Sequence, residues 1–311
     1  VPSLIGGRQG RIPDRVFQAV VAAAGGFIVL LAVVLAITMV QSGMAAFLAF
    51  GPSFVWTSTW NPVTHIFGVL PAMYGTVATS LLALLLALPI GIGAAIFLAE
   101  LAPRWLADPL AFLIEMLAAI PSVIIGLWGL FVVIPMVRQI ETTLGRTLGF
   151  LPIFSGPAYG IGLLAASVIL AIMILPILTA VTRDVLRAVP NSQREAMLAL
   201  GATRWETIWQ AVLPYGRSGI VGAVILGLGR ALGETLAVSM VIGNMFQITP
   251  SLFAPATTLA SLIATQFREA DTPLYLSALI AAGFVLFVIT MTVNILARLL
   301  IWKLTAQTGE A

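Results

Sequence analysis

GRALGETLAVSMVIGN, residues 229–244, places a guanidinium, Arg230, and a carboxylate, Glu234, one helical turn apart in an otherwise apolar run. The run begins near Ser218, so a continuous helix carries Arg230 about 18 Å along its axis. That depth is the middle of a ~30 Å hydrocarbon layer. A charge there costs about 2.5–3.5 kcal/mol on insertion scales, and ionisable groups tolerated there face a partner, a water-filled cavity or a charged solute. The stretch reads as part of a membrane span and marks where function is to be sought.

The composition agrees. The chain has 311 residues, 60% hydrophobic and 9% charged, where soluble domains carry about a quarter charged residues. Its mean hydropathy is +1.09. Runs at 16–40, 73–99, 109–136, 158–181 and 275–301 join 217–243 as spanning helices, each with the ~20 apolar residues a crossing needs. The fold class is therefore an all-α polytopic membrane protein with six transmembrane helices. Pro89, Pro121, Pro135 and Pro176 fall within or near the ends of these runs and read as kinks or helix ends. The first run lacks a small-residue cleavage site after a short core, so it reads as a span rather than a cleavable signal.

Basic residues set the orientation. With the N-terminus in the cytoplasm, the cytoplasmic segments hold Arg8, Arg11, Arg15, Arg104, Arg183, Arg187, Arg194, Arg204, Arg217, Arg298 and Lys303, eleven of the fifteen. Arg138, Arg146 and Arg268 fall on the opposite side, and Arg230 lies in the membrane. The positive-inside bias therefore puts both termini in the cytoplasm. It divides the chain into a cytoplasmic segment 1–15, a transmembrane domain 16–303 and a cytoplasmic tail 304–311. Trp56 and Trp60, in an external stretch without Lys or Arg, read as interfacial anchors. The same topology accounts for the net charge of +3 without nucleic acid as a partner; the Arg8, Arg11 and Arg15 cluster touches anionic membrane lipid.

Several chemistries are excluded. Cysteine is absent, which removes disulfides, thiolate catalysis and Cys-ligated metals. The single lysine, Lys303, has no Gly-rich turn before it, so the chain is not a P-loop ATPase. An intramembrane hydrolase needs a nucleophile with a base, or a metal cluster. His65 lies in an external segment, and only Glu115 and Glu234 are read as carboxylates within the spans.

The loop 182–216 is too apolar for a tail and too charged to span. Asn191 or Ser192 caps a short helix with Glu195 in its first turn, and Gly201 ends it. A second amphipathic stretch, 204–212, stops at Pro214. Two readings fit: a docking element for a partner, or an interfacial helix lying on lipid.

Residues 195–214 resemble the EAA loop of bacterial binding-protein-dependent ABC import permeases. Glu195, Ala196, Gly201, Leu213 and Pro214 stand at the matching spacing, with Met197 for the second Ala and Ala211 at the usual Ile position. EMLAAIPSVIIGLWGL, residues 115–130, is similar to the third-helix signature of phosphate permeases. GRALGETLAVSMVIGN resembles the fifth-helix signature of the PstC type; in the PstA type, GET is followed by Ala-Pro. TSTWNPV, residues 57–63, with Gly68, Pro71, Gly75 and Thr76, also fits the PstC type.

The resemblance implies a type I, MetI-like ABC import permease in the bacterial inner membrane, importing phosphate as the channel subunit. It implies a PstA-type sister permease, a PstB-type ATPase dimer that carries ATP and Mg, and a PstS-type binding protein outside. This chain itself would bind no cofactor. Arg194, Glu195, Ala196, Gly201 and Ala202 would form the coupling contact to the ATPase. Arg230 would meet phosphate, its planar fork matching an oxyanion edge, and Glu234 would hold Arg230 when the path is empty. The competing reading makes the pair a structural tie to the sister subunit. Thr235, Ser239 and Asn244 could donate to the anion or bond to helix carbonyls. Ser122, after Pro121, either faces the path or marks a simple kink. Gly219, Gly222, Gly229 and Gly233 read mainly as close helix packing. Two further alternatives stand: an importer of another oxyanion, molybdate or sulfate, and an enzyme acting on a lipid phosphate or a peptide bond.

Overall fold

The computed structural model describes residues 11–306, with side chains described over 16–299. Arg8, and the side chains of Arg11, Arg15 and Lys303, lie outside what it describes. Ten helices carry the architecture: α1 (Arg11–Phe50), α2 (Leu70–Leu101), α3 (Arg104–Ala118), α4 (Ser122–Leu148), α5 (Leu163–Arg187), α6 (Asn191–Ala199), α7 (Arg204–Gly233), α8 (Leu236–Val241), α9 (Leu259–Gln266) and α10 (Pro273–Ala306). A two-stranded hairpin, Trp60–Asn61 with Ile66–Phe67, joins α1 to α2, and His65 makes its turn with φ +53°. Among the described residues, α1, α2, α4, α5, α7 and α10 are the six helices long and apolar enough to cross a membrane.

Two spans differ from the sequence reading. The run 109–136 is not one helix: it breaks at residues 119–121, and the crossing starts at Ser122 and continues to Leu148. Pro121 has no N–H for the helix ladder and disfavours helix in the residue before it. The longer span brings in a carboxylate the sequence reading left outside the membrane. Glu141 is fully buried, and its Oε2 accepts the Gly160 N–H at 2.7 Å. The fifth run ends at Gly233, not at 243.

Other prolines are absorbed. Pro89 and Pro176 sit inside α2 and α5. Wide π turns at Gly129–Val133 and Ile208–Val212 precede Pro135 and Pro214. A π turn shifts the hydrogen-bond ladder by one residue, so a missing proline N–H leaves no carbonyl stranded. The helix entering at Arg204 therefore runs through Pro214 instead of stopping there.

α5 is the centre of the bundle and packs on α2, α3, α7 and α8. Ile169, Ile174 and Leu178 are fully buried in it. Its first N–H groups are satisfied from far along the chain: those of Gly162, Leu163 and Leu164 donate to the carbonyls of Val241, Ala254 and Leu252 at 3.1, 3.1 and 2.9 Å. The non-helical segment 242–258 thus returns to the bundle and finds its backbone partners in protein, the condition for irregular backbone at membrane depth. A second core joins the end of α1, the hairpin, α9 and the head of α10, where Trp60 stacks on Phe246 and Phe67 on Tyr275.

The returning segment crosses α2 where a side chain has no room. The Thr257 carbonyl oxygen lies 1.9 Å from where a Cβ on Gly75 would stand. Next to it, the Leu259 N–H donates to Thr76 Oγ1 at 2.9 Å. Gly75→Ala should therefore lower the melting temperature of the purified chain, since overpacking costs about 1–3 kcal/mol, against about 1 kcal/mol gained in helix propensity. Gly93→Ala, on the same helix with open space around it, should leave melting unchanged or raise it. Equal melting of the two variants would refute the crossing.

Candidate functional site: a cavity beside two broken helices

A cavity of about 1370 Å³ lies between α3, α5, α7 and α10. Its walls include Glu115 and Ala118 from α3, Pro176 and Ala180 from α5, Gly222, Gly229 and Arg230 from α7, and Thr290, Asn294 and Arg298 from α10. From Gly222 to Arg230 it extends about 12 Å along α7. Asn294 Oδ1 stands 3.9 Å from a Cβ built on Gly229, which sets the two antiparallel helices in register. Arg298 is then one turn nearer the side that carries the loop around α6, and Arg230 lies at the deep end.

Arg230 occupies the last turn of α7, where the carbonyl end of the helix favours a cation. Its Nε is buried with no hydrogen-bond partner, and among the described residues no ion pair holds it. The expected clasp with Glu234 is not formed in this conformation, for a backbone reason. The helix ends at Gly233, and Glu234 takes extended angles, φ −70° and ψ 129°. Off the helical face, its carboxylate turns forward, and Oε1 accepts the Ala237 N–H at 3.4 Å in the first turn of α8.

Ser122 opens α4 directly after the other break, and no side chain caps the N–H groups of that first turn. α4 and α8 pack closely through small residues. A Cβ on Gly126 would come 2.9 Å from Ala237 Cα, and one on Gly129 would come 3.4 Å from Val241. That pairing runs parallel, so Ser122 and Gly233, each four residues earlier, share one depth. The two helix breaks are therefore level with each other, and Ala118 and Arg230, which line the cavity, each lie within a turn of one.

The remaining polar groups divide. Thr235 Oγ1 donates to the Gly233 carbonyl at 3.2 Å, and Ser239 Oγ to the Leu236 carbonyl at 2.9 Å. Asn244 donates to the Ser239 carbonyl and accepts from Ser261. These three are engaged with protein. The glycines divide too: a Cβ on Gly219 would strike Val185 at 2.5 Å, whereas Gly222 and Gly233 have open space. Gly219 is a packing residue, and Gly222 and Gly229 keep the cavity wall bare. Glu115 is bound to Arg183 at 3.0 Å. Asn294 and Arg298 went unnoticed in the sequence as cavity residues. Their signal was present in Thr290, Asn294 and Arg298, spaced by four on one face of an apolar helix.

On the loop side, α6 is the short helix expected there. Its N-cap is Pro190, with no side-chain cap, rather than Asn191 or Ser192. It ends in a Schellman turn: Gly201 has φ +86°, its N–H donates to the Leu198 carbonyl, and the Ala202 N–H donates to the Met197 carbonyl. Glu195, Ala196 and Gly201 are exposed, and Ala202 is half-buried. Thr203 and Glu206 close a capping box on the helix that follows.

Arg194 points the other way. Its guanidinium binds both oxygens of Glu100 at the end of α2, at 2.6 and 3.1 Å, and donates to the Leu186 and Val189 carbonyls at 2.8 and 2.5 Å. It secures α6 to the ends of α2 and α5 and presents no free donor fork to a docking partner.

The family model described as "Binding-protein-dependent transport system inner membrane component" matches residues 87–305. The phosphate transport system permease protein PstC of Xylella fastidiosa (strain Temecula1) is 46% identical over 302 residues, 96% of this chain and 93% of that protein. PstC of Pasteurella multocida is 48% identical over 289 residues, 91% of this chain and 90% of that protein. PstC 2 of Mycobacterium tuberculosis is 42% identical over 300 residues, 94% of this chain and 92% of that protein. Among solved structures, an inward-facing MetNI methionine ABC transporter aligns with TM-score 0.59 at 17% identity, over 79% of this chain and 99% of that chain. A bacterial ABC transporter involved in the import of the acidic polysaccharide alginate aligns with TM-score 0.57 at 17% identity, over 96% of this chain and 99% of that chain. At such identity these structures speak for the fold alone.

Proposed function

Because the chain belongs to the family of binding-protein-dependent transport system inner membrane components, with PstC permeases as near relatives along almost its whole length, we propose that it is the PstC-type channel subunit of an ATP-driven phosphate importer. It is a multi-pass protein of the bacterial inner membrane, with both termini in the cytoplasm. A PstA-type permease completes the channel, and a PstS-type protein delivers phosphate from outside. A PstB-type dimer holds ATP and Mg, docks on the exposed face of α6 and drives the cycle. ATP binding draws the coupling loops of the two permeases together and opens the path outward, and hydrolysis resets it.

The observation that carries this reading is Arg230: a partly buried guanidinium with a free Nε, in the wall of a cavity, beside two helix breaks. Guanidinium binds phosphate with two parallel charge-assisted hydrogen bonds and keeps its charge at any working pH. Glu234 supplies the release step. With the chain extended at residue 234, Arg230 is free for the anion. If the break straightened, Glu234 would rejoin the helical face one turn from Arg230 and compete for the fork. Binding and discharge are then two backbone states of a single joint. Thr235 sits within that joint, and Ser122 offers the N–H groups of the α4 terminus at the same depth.

The test is transport by the assembled complex. Proteoliposomes carrying this chain with its sister permease and ATPase should accumulate labelled phosphate only when ATP and the binding protein are both supplied. Sulfate and molybdate should fail to compete. Accumulation of one of those ions in place of phosphate would shift the assignment to another oxyanion. Turnover of a substrate by this chain alone would replace transport with enzymology.

A further inference from the structure

A second cavity, about 610 Å³, lies on the loop side where four elements meet. It is lined by Leu98 and Ala102 near the end of α2, Arg104 and Asp108 from α3, Arg187 at the end of α5, and Asn191 at the start of α6. Arg104 and Arg187 stand apart from both the cavity around Arg230 and the Arg194–Glu100 tie. Arg104 has no hydrogen bond or ion pair among the described residues. Arg187 reaches Asp108 only at 3.7 Å, beyond hydrogen-bond range, and the Leu98 carbonyl at 3.4 Å. Arg194 also lines the space, but Glu100 already neutralises it at 2.6 Å. Asp108 offsets one of the two remaining guanidinium groups, so the cavity keeps one net positive charge and two donor forks on different helices.

We propose that this cavity binds a phosphate-type oxyanion from the loop side and that the bound anion slows transport. The proposal rests on the importer reading, in which α6 passes motion from the ATPase to the spans. An oxyanion held between Arg104 and Arg187, within reach of Asn191, ties α3 to the joined ends of α5 and α6. α3 must shift against that unit for the coupling loop to work. Charge-assisted hydrogen bonds to both arginines give the tie its strength. The anion is then either free inorganic phosphate, which makes the site a feedback brake set by imported product, or the phosphate of a lipid headgroup, which makes it a membrane-composition sensor.

The assembled complex in proteoliposomes distinguishes these. ATP added outside energises only transporters whose loop side faces outward, and these export labelled phosphate loaded in the lumen with the binding protein. In vesicles of phosphatidylcholine, external unlabelled phosphate should slow wild-type release roughly fivefold or more, a usual size for allosteric coupling. Arg104→Gln/Arg187→Gln should lose that response while releasing label at the wild-type rate without external phosphate. Arg104→Gln alone, at a residue with no partner to lose, should weaken the response and guards against misfolding. The second arm adds phosphatidylglycerol to the vesicles. If that lipid slows the wild type but not the double variant, and free phosphate slows neither, the occupant is the headgroup. Equal responses of wild type and double variant in both arms overturn the site, including the case where phosphate acts on Arg230 or on the ATPase. Failure of the wild type to release label without external phosphate would instead count against the importer reading.

Discussion

Arg230→Ala should cut ATP-driven phosphate uptake by roughly 100-fold while the complex still assembles. A hydrogen bond to a charged group contributes about 1.5–3 kcal/mol, and a guanidinium edge offers two to phosphate. Each ~1.4 kcal/mol is a factor of ten, so loss of the fork alone reaches that size. Assembly should survive because the buried Nε has no protein partner to abandon. Removing an unpaired charge from a membrane span relieves a cost, so the variant should melt no lower than the wild type. Arg230→Lys keeps the charge without the planar fork and should fall between the two. Glu234→Gln should fail differently: phosphate enters, but the competitor that frees it is gone, so single-turnover loading persists while steady uptake drops. If Arg230→Ala leaves uptake near normal in an assembled complex, Arg230 is a structural residue, and the path runs elsewhere.

The parts of this site differ in how far the sequence disclosed them. The six spans follow from apolar length alone, since no other environment tolerates such runs, and Pro121 signals the break before Ser122. The break at Glu234 has no comparable signal. GRALGETLAV reads as one helix, because a single Gly costs a helix only about 1 kcal/mol. What settles the break is tertiary: Gly126 admits α8 against α4 so closely that a side chain there would collide with Ala237 and Met240, and Gly129 admits Ile169 of α5 beside it. The returning segment 242–258 was equally silent, because its carbonyls bond to Leu163 and Leu164, some ninety residues away. Pro214 misled for a local reason, since the π turn at Ile208–Val212 absorbs its missing donor. Arg194 was read as a contact to the ATPase, and the structure binds it to Glu100. Its direction depends on Glu100, 94 residues earlier, which no spacing rule links to it.

That direction yields a separable expectation. Arg194→Ala should abolish stimulation of the ATPase by the loaded binding protein and reduce uptake to background, while basal ATP hydrolysis persists. The loss leaves the Glu100 carboxylate, whose side chain is only 10% exposed, without its partner. Breaking such a buried pair costs about 3–5 kcal/mol. The Leu186 and Val189 carbonyls lose a donor as well. α6 then still meets the ATPase but no longer pulls on α2 and α5. Glu100→Ala should reproduce the defect from the other side. The double variant should be no worse than Arg194→Ala alone, because the side-chain contact that Glu100→Ala removes is already lost there and the two effects cannot add. A bare docking residue behaves otherwise: Arg194→Ala would then weaken ATPase binding in a pull-down, and Glu100→Ala would be silent. The cycle therefore decides between a strut inside the permease and a contact across the interface. Additive losses, or a normal Glu100→Ala, would return Arg194 to the interface.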